Sequence, residues 1–149
     1  MKTIKELINK YQKEIEAEAI RCYPSECCGF ITSSETQDEF FPCENLQDKM
    51  HAYDPETFTR DSKTAYYISP KVIMDVMKNG ETSGKKIRVI YHSHPDHDAY
   101  FSDEDQQAAT YEKEPVYPGI DYHVVSVYNG KIKAHETFCW NPQEHKFTE

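Results

Sequence analysis

The run Ile87-Arg88-Val89-Ile90-Tyr91 passes without a break into His92-Ser93-His94-Pro95, and this junction constrains the chain more than any other stretch. The run is short and β-branched, which is the composition of a strand rather than a helix. Side chains alternate faces along a strand, so His92 and His94 emerge next to each other on one side as it ends. Two imidazoles so placed can share one metal ion. The rest of the chain must then be a holder for this segment.

Downstream, Ser102 precedes a polar helical segment, Asp103 to Glu114, and Asp105 falls in its first turn. Taken alone, Ser102-x-x-Asp105 reads as a helix N-cap with an acidic first turn. Taken with His92 and His94, it completes two nitrogens and one carboxylate, the set that leaves zinc an open fourth position for water. Two neighbouring imidazoles before a proline turn have no obvious packing role of their own.

The 149 residues predict one domain, 1–149, able to bury roughly two-thirds of its unfolded surface without disulfide support. With 17 basic against 26 acidic residues the net charge is −9, which argues against nucleic acid as a partner. Lysines and glutamates interrupt every apolar run in residues 1–22, and no stretch is long enough to span a membrane, so a cytoplasmic location is expected. The five cysteines, Cys22, Cys27, Cys28, Cys43 and Cys139, contain no C-x-x-C pair. Reduced, partly buried thiols are the expectation, with a nucleophilic cysteine as the alternative.

Ile4, Leu7, Ile8, Tyr11, Ile15, Ala19 and Cys22 recur at helical spacing, predicting an amphipathic helix over 3–22 that Pro24 ends. Cys27 to Ser33 reads as a central strand with Glu26 at its start. Considered alone, Glu26 is a solvent-exposed residue. A return strand follows around Phe40-Phe41, where Pro42 requires an edge or a bulge. Residues 46–68 form a long polar excursion, either functional or a tolerated surface insertion. Ser69-Pro70 opens a helix that Asn79-Gly80 closes, and two strands, Asp121 to Tyr128 and Lys131 to Trp140, are joined by the hairpin signal Asn129-Gly130. The sum is an α/β domain with a mixed central sheet of about six strands flanked by two or three helices.

Glu26, then His92-x-His94, seven residues, and Ser102-x-x-Asp105 together resemble the signature of the JAMM/MPN+ zinc metallopeptidases. The runs Tyr23-Pro24-Ser25-Glu26-Cys27-Cys28-Gly29 and Tyr91-His92-Ser93-His94-Pro95 are similar to those of stand-alone bacterial members associated with ubiquitin-like sulfur-carrier proteins. The resemblance implies an MPN/cytidine-deaminase-like architecture and one Zn2+ held by His92, His94 and Asp105. Glu26 would be the general acid/base and Ser102 the oxyanion donor. It implies cleavage at the Gly-Gly tail of a ubiquitin-like or sulfur-carrier protein, with an adenylating enzyme in the same pathway. A cell-wall or phage-tail endopeptidase and a non-catalytic MPN scaffold are the alternatives. The roles of Asp96, His97 and Asp98 stay open between ligand, substrate contact and plain loop residue.

Overall fold

A computed structural model describes residues 1–149. Thr3 starts helix α1 (Ile4–Cys22) with a capping box: its hydroxyl accepts from the Glu6 N–H at 3.1 Å, and the Glu6 carboxylate accepts from the Thr3 N–H at 2.8 Å. The predicted stripe is buried at Leu7, Ile8, Ile15 and Ala19. Strand β1 (Cys28–Ser33) follows, buried at all six positions, and β2 (Asp38–Cys43) returns antiparallel to it. Pro42 lies in β2, the edge strand, where a missing N–H costs no ladder bond.

Helices α2 (Gln47–Tyr53) and α3 (Pro70–Ser83) lead to strand β3 (Lys86–Pro95). Helix α4 (Asp103–Ala109) and a small hairpin of β4 (Thr110–Tyr111) and β5 (Glu114–Pro115) fill the crossover to β6 (Asp121–Tyr128). Strands β7 (Lys131–Asn141) and β8 (Lys146–Thr148) complete the main sheet, whose order is β2-β1-β3-β6-β7-β8. The β3–β6 pair is parallel and every other pair antiparallel. The mixed six-stranded sheet is as expected, and no helix is long and apolar enough to cross a membrane.

Alternation along the strands divides the interior in two. Val89 and Tyr91 of β3 join Val125 and Val127 of β6 under the apolar stripe of α1. Ile90 joins Phe30, Ile73, Tyr122 and Val124 on the opposite face, which α3 and α4 cover, and a register shift between Val89 and Ile87 brings Ile87 to that face too. A polar chain also ties α1 to the sheet: Glu16 Oε2 to His135 Nε2 at 2.6 Å, His135 Nδ1 to His123 Nε2 at 2.8 Å, and His123 Nδ1 to Thr137 Oγ1 at 2.8 Å.

Several boundaries differ from expectation. Helix α3 runs through Asn79-Gly80 to Ser83 and ends at Gly84, whose φ of 76° gives the left-handed cap. Gly80 instead makes room for the returning chain, since a Cβ there would run into the Lys85 carbonyl. The helix expected over Asp103 to Glu114 stops at Ala109, because Glu112 and Lys113 adopt φ of 49° and 65° and turn the chain into the β4–β5 hairpin. The expected strand at 87–91 extends to Pro95, which places both histidines inside the ladder. Excursion 46–68 carries α2, so the helices number four, two of them seven residues long.

Candidate metal centre

His92 and His94 project from the α3/α4 face of β3, and Asp105 reaches them from the first turn of α4. Their ligand atoms form a near-equilateral triangle: His92 Nε2 to His94 Nε2 at 3.1 Å, and each to Asp105 Oδ2 at 3.2 Å. A tetrahedral ion with ligands at about 2.0–2.1 Å spaces them about 3.3 Å apart, so the triangle fits zinc. The donor chemistry agrees, since two imidazole lone pairs and a carboxylate oxygen converge where no single hydrogen can satisfy all three.

The supporting contacts orient these groups. The His94 Nδ1–H donates to the Asp98 carbonyl at 2.8 Å, which leaves Nε2 its lone pair. His92 lies under the ring of Tyr66, with centroids 4.5 Å apart. Burial holds the His92 imidazole below its usual pKa, towards the neutral, metal-binding form, against the pull of Asp105. Burial opposes ionisation of Asp105 too, but the two imidazoles outweigh it and hold the carboxyl well below the usual carboxylate range.

Both readings of Ser102-x-x-Asp105 hold at once. The Asp105 N–H donates to Ser102 Oγ at 3.1 Å, and the Ser102 N–H donates to Asp105 Oδ2 at 3.1 Å, a capping box. The same Oδ2 completes the triangle. Because the Ser102 oxygen already accepts a bond, its O–H proton is free to donate into the cleft that the residue lines.

Glu26 is brought in by strand register. Cys28 pairs with His92, and the next step of the ladder bonds Cys27 to Ser93, with N–H to Oγ at 2.8 Å and Ser93 N–H to the Cys27 carbonyl at 3.2 Å. Glu26 precedes this step and lines the same cleft as His94. The residue is 4% exposed rather than open to solvent, and its Oε1 has no partner. Burial, with help from the Asp105 charge, raises its pKa well above the ordinary carboxylate value, while Arg60 pulls the other way.

Glu26, His94 and Ser102 line one cleft of about 190 Å³ together with Arg60, Thr64, His97, Tyr100 and Glu104. A larger hollow of about 510 Å³ lies at the start of β3, beside Ile87 and Pro118, and holds no convergent ligand set.

Excursion 46–68 is a wall of this cleft, a role its irregular polar sequence did not disclose. Asn45 Nδ2 donates to the Glu26 and Ala65 carbonyls at 3.0 and 3.2 Å, and its Oδ1 accepts from the N–H groups of Gln47 and Tyr67, both at 3.0 Å. The Glu26 N–H donates to the Ser62 carbonyl at 2.7 Å, and Ser62 is tied to Asp48. Arg60 bridges to Glu104 at 2.5 Å. Of the three open positions, Asp96 bonds Tyr23 and Asn129, Asp98 bonds Tyr128 and Lys133, and His97 lines the cleft. All five cysteines are free, and burial pushes the Cys27 thiol up to about 12 and Cys28 higher, which disfavours the thiolate at both.

Residues 9–142 match the family model described as prokaryotic homologs of the JAB domain. The chain belongs to this family. No curated protein matches the JAB-domain chain. A Desulfitobacterium hafniense protein solved in solution is 22% identical with a TM-score of 0.61, the match covering 89% of this chain and 81% of that one. A Salinibacter ruber protein, also solved in solution, is 23% identical with a TM-score of 0.57, covering 99% and 87%. Both likenesses speak to the fold. A JAB1/MPN domain protein from Archaeoglobus fulgidus is 17% identical with a TM-score of 0.48, covering 92% and 88%.

Proposed function

We propose that this JAB-domain chain is a zinc-dependent hydrolase of peptide or isopeptide bonds acting at the glycine-rich tail of a ubiquitin-like or sulfur-carrier protein. One observation carries the reading: three ligand atoms converge at His92, His94 and Asp105, and His94 lines a cleft together with the buried Glu26 carboxylate, which has an unpartnered oxygen. A zinc ion held by His92, His94 and Asp105 supplies, when bound, a water whose pKa falls toward about 7 and a Lewis acid for the scissile carbonyl.

The chain's own groups account for the rest. Glu26 takes a proton from the attacking water and delivers it to the leaving nitrogen, a task suited to a buried carboxylate whose pKa is raised well above its ordinary value. The free Ser102 O–H donates to the developing oxyanion, a contribution of about 3 kcal/mol in comparable sites. The Tyr66 ring covers His92, and the Asp98 carbonyl fixes the His94 tautomer. A cleft of about 190 Å³ is smaller than the ~300–1,000 Å³ typical of drug-sized ligands, which favours glycine-sized residues. An extended tail suits main-chain hydrogen bonding at such a site. A carrier of this class also implies an adenylating enzyme as a pathway partner.

Glu26→Gln tests the mechanism. The variant should bind zinc as the parent does and lose turnover of a Gly-Gly tail substrate by at least a hundredfold, the scale of a general acid/base contribution. Undiminished turnover overturns the assignment.

A further inference from the structure

Arg60 is the one Arg or Lys side chain lining the cleft, and the other charged residues there are Glu26 and Glu104. Its guanidinium bonds Glu104 Oε1 at 2.5 Å, so a carboxylate already rests in the place where an anion would be held. Glu104 is the neighbour of Asp105, which sets this anchor beside the metal triangle. Arg60 is near enough to lower the pKa of Glu26 electrostatically. The backbone beneath it is fixed, since Gln47 Nε2 donates to the Arg60 carbonyl at 2.9 Å. The side chains of Arg60 and Glu104 are 43% and 45% exposed. Ion pairs this exposed are weak, so an incoming carboxylate can displace Glu104 at little cost. A guanidinium fork also matches carboxylate geometry better than a point charge does.

We infer that Arg60 holds the free C-terminal carboxylate of the substrate on the leaving side of the scissile bond, so that the enzyme trims a chain end rather than opening an internal or side-chain amide. This rests on the hydrolysis proposed above and adds its substrate class: a glycine-rich tail extended by one or two residues that end in a free acid. In the reaction, water oxygen bonds to the carbonyl carbon, the C–N bond breaks, and the leaving nitrogen gains a proton. The products are a shortened tail with a new carboxylate and a free amino acid or dipeptide whose original carboxylate Arg60 has held. An isopeptide substrate, whose chain continues past the bond, presents no such charge.

The test compares two synthetic tail peptides ending in Gly-Gly-Ala, one as the free acid and one as the C-terminal amide. The parent enzyme should cut the acid at least tenfold more efficiently in kcat/KM, with the difference mainly in KM. That acid-to-amide ratio should fall to about one in Arg60→Gln, stay intermediate in Arg60→Lys, and rise in Glu104→Gln, where the internal competitor is gone. A parent ratio near one, or a ratio that Arg60→Gln leaves untouched, overturns the inference. If the parent cuts neither peptide, the proposed hydrolysis fails, and the Arg60 assignment is read separately by NMR. Titrated N-acetylalanine should then shift the Arg60 Nε–H resonance where its amide does not, and equal shifts overturn it.

Discussion

Zinc should raise the thermal midpoint of this protein by several degrees, and the triangle of ligand atoms sets the terms. The metal-free site holds two imidazole nitrogens and a carboxylate oxygen 3.1–3.2 Å apart, with His92 kept neutral by burial and Asp105 ionised. Little rearrangement therefore precedes binding, and the binding free energy appears as folding free energy. At free zinc about a hundredfold above Kd, linkage gives about 2.7 kcal/mol. For a chain near 150 residues each kcal/mol moves the midpoint by about 2–4 °C, so the shift should be about 5–10 °C. Differential scanning fluorimetry with zinc and with EDTA measures it. The shift should vanish in His94→Ala, persist in Glu26→Gln, and shrink as pH falls through the imidazole range, where protons compete for the same lone pairs. A midpoint indifferent to zinc, or an equal shift in His94→Ala, refutes the assignment.

Gly29→Ala should destabilise by about 3 kcal/mol, lowering the midpoint by about 6–12 °C. Its Cβ would meet the Phe41 carbonyl at 2.5 Å and the Tyr91 ring, and the carbonyl belongs to the β2 ladder and cannot swing aside. Asn45→Ala removes four hydrogen bonds at once and should cost about 3 kcal/mol in urea denaturation, with faster proteolysis within residues 46–68. Asp38 accepts from Lys10 and Lys2 and from the Ser33 hydroxyl, and its carboxyl is held well below its ordinary value. Its contribution is therefore complete above about pH 3.9 and is lost as pH falls towards the depressed folded value. Asp38→Asn should lower the urea midpoint at pH 7, and the gap to the parent should close below about pH 3.9. A gap that stays constant from pH 7 to pH 3 contradicts the ion pairing.

Much of this was legible in the chain because short-range chemistry governs it. Period-2 alternation set His92 and His94 on one face, and the Ser102–Asp105 spacing fixed a cap that doubles as a ligand turn. The amphipathic stripe of α1 and the turn at Asn129-Gly130, with φ of 52° and 75°, were equally plain. What stayed hidden depends on distant partners. Gly80 looked like a helix stop because its reason for being small, the Lys85 carbonyl, lies across a turn. Glu26 looked exposed because its burial comes from β1–β3 register and from Asn45 and Ser62. Tyr66 and Arg60 gave no periodic signal, since what they touch comes from β3 and α4, 26 and 44 residues on by subtraction (92 − 66 and 104 − 60).

The three metal ligands lie within a 13-residue separation (105 − 92), whereas Glu26 enters only when β1 is zipped against β3, 66 residues away (92 − 26). Closing the longer loop costs about 1.4 kcal/mol more by chain entropy, and the β1 start relies on contacts from Asn45 and Ser62 that the metal triangle does not need. Formation of the ligand triangle and placement of Glu26 beside it are therefore separate steps for the chain. A sample can hold the ligand triangle in every molecule while the β1 end has come away in some, so a count of metal sites is not a count of molecules with Glu26 in place.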